Sequence, residues 1–213
     1  MCFHVKSPTP KQVKHAFPTA QLLNDQWHIG KLNGFDRPLL PCLTWDKESN
    51  QLFVEPMQWG LTPHWAKDDQ IALKTLNARI ESIHETASFK DYVTNRMVFI
   101  TDGFYEWKWH DAKGKEKEPF YIQSGKEPLT LMGGIYNENA PFQSSDILKT
   151  CSMVTTVANE VMAEIHNIKK RMPVLLNENS VWEWLKEEDM DEFLHPEIIL
   201  SIESLQPPTP RLF

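Results

Sequence analysis

The chain has 213 residues, of which 41% are hydrophobic, 24% charged and 11% aromatic, and its formal net charge is −7. That length suits one compact domain, or at most two small ones, and the composition excludes a disordered chain. The acidic balance excludes a protein that coats nucleic acid nonspecifically, yet leaves room for a narrow groove lined by a few arginines.

Residues 2–5 read as a short strand. "SPTPKQVKHAF" then carries a helix start, with Thr9 as N-cap and Pro10 at the first helical position, and Pro18 closes it. "QLFVEPMQWGL" reads as a strand followed by a turn. In "LNARIESIHET" the spacing of Leu76, Ile80 and Ile83 predicts a helix with one apolar face. A β-rich middle follows: "RMVFITDGFYEWKW", "EPFYIQS", "LTLMGGIYN" and "TCSMVTTVA". The lysine-rich "KWHDAKGKEKEP" between the first two predicts a solvated hairpin tip around Gly114. Cys151 alternates within an apolar strand and is expected to be a buried thiol. "NENSVWEWLKEED" predicts a late helix with Asn179 near its cap and the segment 182–184 packed in the core. "EIILSIESL" predicts a final strand. There is no repeat, low-complexity tract or linker-like break, so the expected fold is a single α+β domain over residues 1–213.

The cysteines are Cys2, Cys42 and Cys151, an odd number without a CxxC pair. A disulfide framework and a zinc cluster are therefore not expected, and neither is any metal or cofactor. Reduced thiols, the lack of a signal pattern and the lack of an apolar run of ~20 residues predict a cytoplasmic protein off the membrane. The P-loop signature, GxGxxG, HExxH and GxSxG are all missing. What remains are four polar groups in unusual settings. Loss of Met1 would give Cys2 a free α-amine beside its thiol, a 1,2-aminothiol that reacts with aldehydes; the alternative is an ordinary small strand residue. Asn77 and Arg79 interrupt "LNARIE", either as function or as a turn residue and a surface charge. Glu106 sits between Tyr105 and Trp107, where desolvation would favour its neutral form, or it faces outward on a strand. His166 precedes a basic cluster of Lys169, Lys170 and Arg171, which by itself also fits a solvated loop.

Together these segments resemble the SRAP family (SOS response-associated peptidase, also called abasic-site processing proteins). The likeness runs in order through "MC", "WGLTPHW", "LNARIES", "RMVFITDGFYEWK", "PFYI", "LMGGIY", "TCSMVTTVAN" and "IHNIKKRMPVLL". It implies a mixed, largely antiparallel β core with flanking helices around a DNA-binding groove. It further implies a monomer that captures abasic sites in single-stranded DNA as a covalent crosslink. Carried over position by position, Cys2 would attack after Met1 is removed by the protein itself. Asn77 would orient the Cys2 amine, Glu106 would serve as acid–base at the forming imine, and His166 would protonate the opening sugar ring. Arg79 and Arg171 would hold phosphates, while Trp65 and Trp107 would be platforms for flanking bases. Two departures stand out. Family members often begin "MCGR", whereas Phe3 and His4 stand here, and the usual IH-x-RMP spacing is lengthened to "IHNIKKRMP". Rival readings are a cysteine peptidase acting on other proteins and a non-covalent single-strand-binding module.

Overall fold

The computed structural model describes residues 2–125, 127–138 and 149–206; Met1 and residues 207–213 lie outside the described residues. The chain opens with β1 (His4–Ser7) and α1 (Pro10–Ala16). The predicted cap is present: the Thr9 hydroxyl accepts from the Gln12 amide at 3.3 Å, and the Gln12 side chain accepts from the Thr9 amide at 2.9 Å. Short strands β2 (Gln21–Leu22) and β3 (Gly30–Asn33) lead into the long pair β4 (Leu39–Asp46) and β5 (Gln51–Trp59). Then come β6 (Asn77–Arg79), β7 (Arg96–Thr101), β8 (Gly103–Trp109), β9 (Lys117–Ser124), β10 (Thr130–Asn137) and β11 (Thr150–Val157). The last elements are α2 (Glu160–Ile165), β12 (Arg171–Pro173), β13 (Leu175–Leu176), α3 (Glu178–Leu185) and β14 (Leu200–Ser204). No helix among the described residues is long and apolar enough to cross a membrane.

The strands form two sheets, one wholly antiparallel and one mixed but mainly antiparallel. One has the order β14-β9-β8-β1-β3; the other runs β12-β11-β10-β7-β4-β5-β2. In the second, β5 and β11 also pair in parallel through Gln58 with Thr150 and Trp59 with Cys151. That contact closes β11, β10, β7, β4 and β5 into a ring. Alternation then divides their side chains. Leu40, Cys42, Met57, Trp59, Met97, Phe99, Met132, Cys151 and Met153 belong to an inner cluster, which Val5, Phe104 and Ile122 of the five-stranded sheet extend. Leu43, Val54, Val98, Ile100, Leu131, Ile135 and Val154 face the other way, where Val13, Val181 and Trp184 cover them. Cys2 lies in the inner cluster, fully buried.

Several predicted elements changed. "LNARIES" is not a helix. Asn77–Arg79 form a strand parallel to Met153–Thr155, and Ile80–Ser82 make a single 3-10 turn. The apolar positions Leu76, Ile80 and Ile83 are buried as expected, but hydrogen bonds to the edge of β11 override the helical spacing. "RMVFITDGFYEWKW" is two strands in different sheets, β7 and β8, split at Asp102. The cap of α3 is Asn177, two residues before Asn179, and it accepts from the amides of Asn179 and Ser180. Trp184 is buried as expected, whereas Trp182 is 39% exposed. The helix α2 was not predicted; it is only six residues long, and Asn159 caps it.

Gly103 marks the crossing from one sheet to the other. A Cβ there would lie 2.5 Å from the Ile122 carbonyl oxygen and 2.8 Å from the Tyr121 ring. Backbone cannot yield as a flexible side chain would, so Gly103→Ala is expected to cost about 2 kcal/mol or more by overpacking. Urea denaturation of the two proteins, compared at equal m-value, checks this.

Candidate active site

The site begins where β1 leaves the sheet. The Phe3 carbonyl accepts from the Gly34 amide at 2.7 Å, which fixes the chain just ahead of β1. Cys2 turns into the inner cluster, and its carbonyl accepts a 2.9 Å hydrogen bond from Asn77 Nδ2. Residue 77 reaches this point because β6 docks parallel on β11 and Asn77 lies opposite Met153. Asn77 is itself buried, and its Oδ1 has no hydrogen-bond partner among the described residues.

Glu106 comes from β8. Alternation in "FYEW" turns Phe104 and Glu106 inward and Tyr105 and Trp107 outward, so the outward reading of Glu106 is not the one realised. The residue is only 6% exposed, and its Oε1 is likewise unpartnered among the described residues. Burial pushes the Glu106 carboxyl up to about 7, although a hydrogen bond from the Trp107 backbone works the other way. The Cys2 thiol is pushed well above its ordinary range, first by burial and then by the charge of Glu106. A protonated thiol and a half-ionised carboxyl thus share one apolar compartment near neutral pH.

His166 closes α2 as its C-cap, with its amide on the Met162 carbonyl. Its Nδ1 lies 2.7 Å from the Arg171 carbonyl oxygen and 3.2 Å from the Arg171 amide, so the lengthened 166–171 loop folds back on the ring. The loop is tied to β8 by Asn167. This side chain accepts from the Trp109 amide at 3.2 Å and donates to the Trp109 carbonyl at 2.8 Å. Burial is the main cause that brings the imidazole down to about 4, so His166 is neutral at neutral pH.

Arg171 does not stand ready as a phosphate contact. It is 8% exposed, and its guanidinium grips Glu81 with two hydrogen bonds, one of 2.9 Å, while also donating to the Thr155 carbonyl at 2.6 Å. Burial opposes ionisation of Glu81, but the Arg171 guanidinium prevails and holds its carboxyl below the usual range. Arg79, by contrast, is exposed at the end of β6, two residues beyond Asn77. Trp65 is 45% exposed on the loop after β5, and Trp107 is half-buried on the outer face of β8. The structure thus gathers Cys2, Asn77 and Glu106 around one buried cluster and ties the His166 loop to β8. It leaves Arg79 and Trp65 at the surface and commits Arg171 to the interior. Asn167 and Glu81 escaped the sequence reading. The only signal for either was position, one residue after His166 and two after Arg79.

The chain belongs to the SRAP (SOS response associated peptidase) family, whose model matches residues 1–204. Among curated relatives, the abasic site processing protein YoqW of Bacillus subtilis is 40% identical over 137 residues, 63% of this chain and 58% of the relative. The abasic site processing protein HMCES of Gallus gallus is 30% identical over 164 residues, covering 66% of this chain and 47% of the relative. The chain therefore spans about half to three-fifths of the length of these relatives. A crystal structure of a Bacteroides thetaiotaomicron protein superposes with a TM-score of 0.80 at 26% identity, covering 96% of this chain and 92% of that one. A Bordetella bronchiseptica protein shares the fold, with a TM-score of 0.78 at 18% identity.

The Glu106 environment has a pH signature. From its ordinary value of 4.5 to about 7, the folded chain binds a proton here that the unfolded chain has lost. This group therefore lowers stability progressively as pH rises through that window. Glu106→Gln should remove the penalty, gaining on the order of 3 kcal/mol over wild type between pH 4 and pH 8. Urea titrations across that range measure the gap, which should widen with pH.

Proposed function

We propose that this protein captures abasic sites in single-stranded DNA by forming a thiazolidine with Cys2 after Met1 is removed. The observation that carries the reading is the pairing of Cys2 with Asn77 and a buried, proton-holding Glu106. Asn77 Oδ1 and Glu106 Oε1, two buried acceptors without a partner among the described residues, suit the N–H donors of an α-ammonium at residue 2. The family membership and the names of the relatives support DNA with abasic sites as the partner.

The steps follow from the groups. An α-amine has a pKa of roughly 7.7–8.0, so a useful fraction is neutral at physiological pH. Its nitrogen attacks the C1′ aldehyde of the ring-opened sugar and forms a carbinolamine. Glu106 donates a proton to the departing hydroxyl, water leaves, and an imine remains. The Cys2 sulfur then adds to the imine carbon while its proton passes to nitrogen, closing a five-membered ring. Closure is intramolecular and gains from proximity. Because His166 is held neutral, its part is to accept a proton from one group and return it, rather than to arrive as an acid. Asn77 holds the Cys2 carbonyl and thereby the direction of the amine. The buried, protonated Cys2 thiol disfavours the rival reading of a thiolate peptidase acting on other proteins.

Cys2→Ala should abolish a heat-stable adduct with an abasic single-stranded oligonucleotide on denaturing electrophoresis, and intact mass of the wild type should show Met1 lost. An adduct of undiminished yield in Cys2→Ala would sink the proposal. Glu106→Gln should slow adduct formation by roughly 10²-fold, the low end for a positioned acid–base.

A further inference from the structure

The edge of β8 loses its neighbouring strand just short of Glu106. β1 pairs with β8 through Gly103, Phe104 and Tyr105 and goes no further, because ahead of His4 the chain turns inward to Asn77. Peptide groups of alternate residues along a strand face the same edge, so those of Trp109 face the edge that β1 covers at Tyr105. The Asn167 side chain takes the vacated place. Its Oδ1 accepts from the Trp109 amide at 3.2 Å and its Nδ2 donates to the Trp109 carbonyl at 2.8 Å, the donor and acceptor that a strand residue would offer.

This tie joins two arms of the candidate site. On one side, Trp109 lies three residues beyond Glu106 on the same strand. On the other, α2 sends Met162 and Ile165 into the inner cluster that holds Cys2 and Phe104, so His166 directly follows a residue of that compartment. The Lys170 amide donates to the His166 carbonyl at 2.8 Å, and the His166 ring rests on the Arg171 backbone. These contacts shape the loop from within and would travel with it. "IHNIKKRMP" holds three residues more than IH-x-RMP, and Ile168, Lys169 and Lys170 are exposed. A longer loop has more ways to misplace the ring it carries.

We propose that Asn167 is a positioning residue: by standing in for the missing strand at Trp109, it fixes His166 relative to Glu106. A displacement of about 1 Å between groups that must meet the same reacting atoms costs on the order of 10²-fold in rate. The proposal rests on the reading of Cys2 given above and adds the residue that aligns its two acid–base groups.

The test pairs single-turnover crosslinking of an abasic single-stranded oligonucleotide with an NMR titration of the His166 imidazole, both on the full chain. Asn167→Ala should slow crosslinking about tenfold or more. By admitting water to the ring, it should also move the His166 titration up from about 4 toward the ordinary 6.5. In a His166→Ala background the same substitution should cost nothing further, because it acts through that ring. Asn167→Asp presents both donor and acceptor only while protonated, so its rate relative to wild type should fall from about pH 5 to pH 8. Ile168→Ala, one residue along, should change neither rate nor titration. A wild-type rate and titration in Asn167→Ala would overturn the assignment, as would an undiminished cost of that substitution in the His166→Ala background. A wild type that never crosslinks, while Asn167→Ala still moves the His166 titration, would overturn the function proposed for Cys2 and leave the positioning of His166 standing.

Discussion

The candidate site is organised around a carboxyl group held out of water. Glu106 lies on the inner face of a strand whose neighbouring inward residue is phenylalanine, and it opens onto a cluster of cysteine, methionine and aromatic side chains. Taking a carboxylate from water into such surroundings is costly, so the group keeps its proton to an unusually high pH. The same burial acts on the Cys2 thiol in the same direction. The thiol stays protonated and the carboxyl keeps its proton up to about neutrality, a proton reserve of the kind the proposed imine chemistry calls for. The fold accepts a loss of stability at this point that its large core offsets elsewhere.

What builds that environment is topology more than local preference. The parallel contact between β5 and β11 closes the ring, and β6 docks beside β11 to bring Asn77 to the Cys2 carbonyl. Both contacts join segments far apart in sequence. Gly134 shows how tightly the ring is filled, since a Cβ there would meet the side chains of Met97 and Phe99. The paired glycine beside it, Gly133, leaves room for the Trp184 ring on the opposite face. One "GG" step therefore serves the inner and outer cores at once.

This division explains what could be read in advance. The α1 cap, the hairpin around Gly114, the final strand and the buried Cys151 rest on local signals, and each was legible. The segment "LNARIES" was not, because its apolar spacing fits a helix while its partner β11 lies more than 70 residues away. The candidate site residues were named from the family likeness rather than from pattern alone, and Cys2, Asn77 and Glu106 lie together in one buried region. Arg171 has partners that the likeness did not supply. Its motif "RMP" is intact, yet the guanidinium is occupied by Glu81 and Thr155, a commitment that no spacing along the chain discloses. The doubly hydrogen-bonded pair joins a buried guanidinium to a partly exposed carboxylate and anchors the end of the loop that carries His166.

The first four residues now divide by direction. Cys2 turns inward to Asn77, while Phe3 packs against Phe35 with ring centroids 4.9 Å apart and His4 lies edge-on to Trp107. Where relatives often carry glycine and arginine, this chain therefore places two aromatic rings that extend a row of aromatic contacts across the sheet. The positive charge missing from position 4 is not missing from the surface, because Lys31 on the adjacent strand stands over the rings of Tyr105 and Trp107. Burial, Lys31 foremost among the neighbouring charges, and only weak support from Asp36 keep the His4 imidazole below its ordinary pKa, hence neutral at physiological pH.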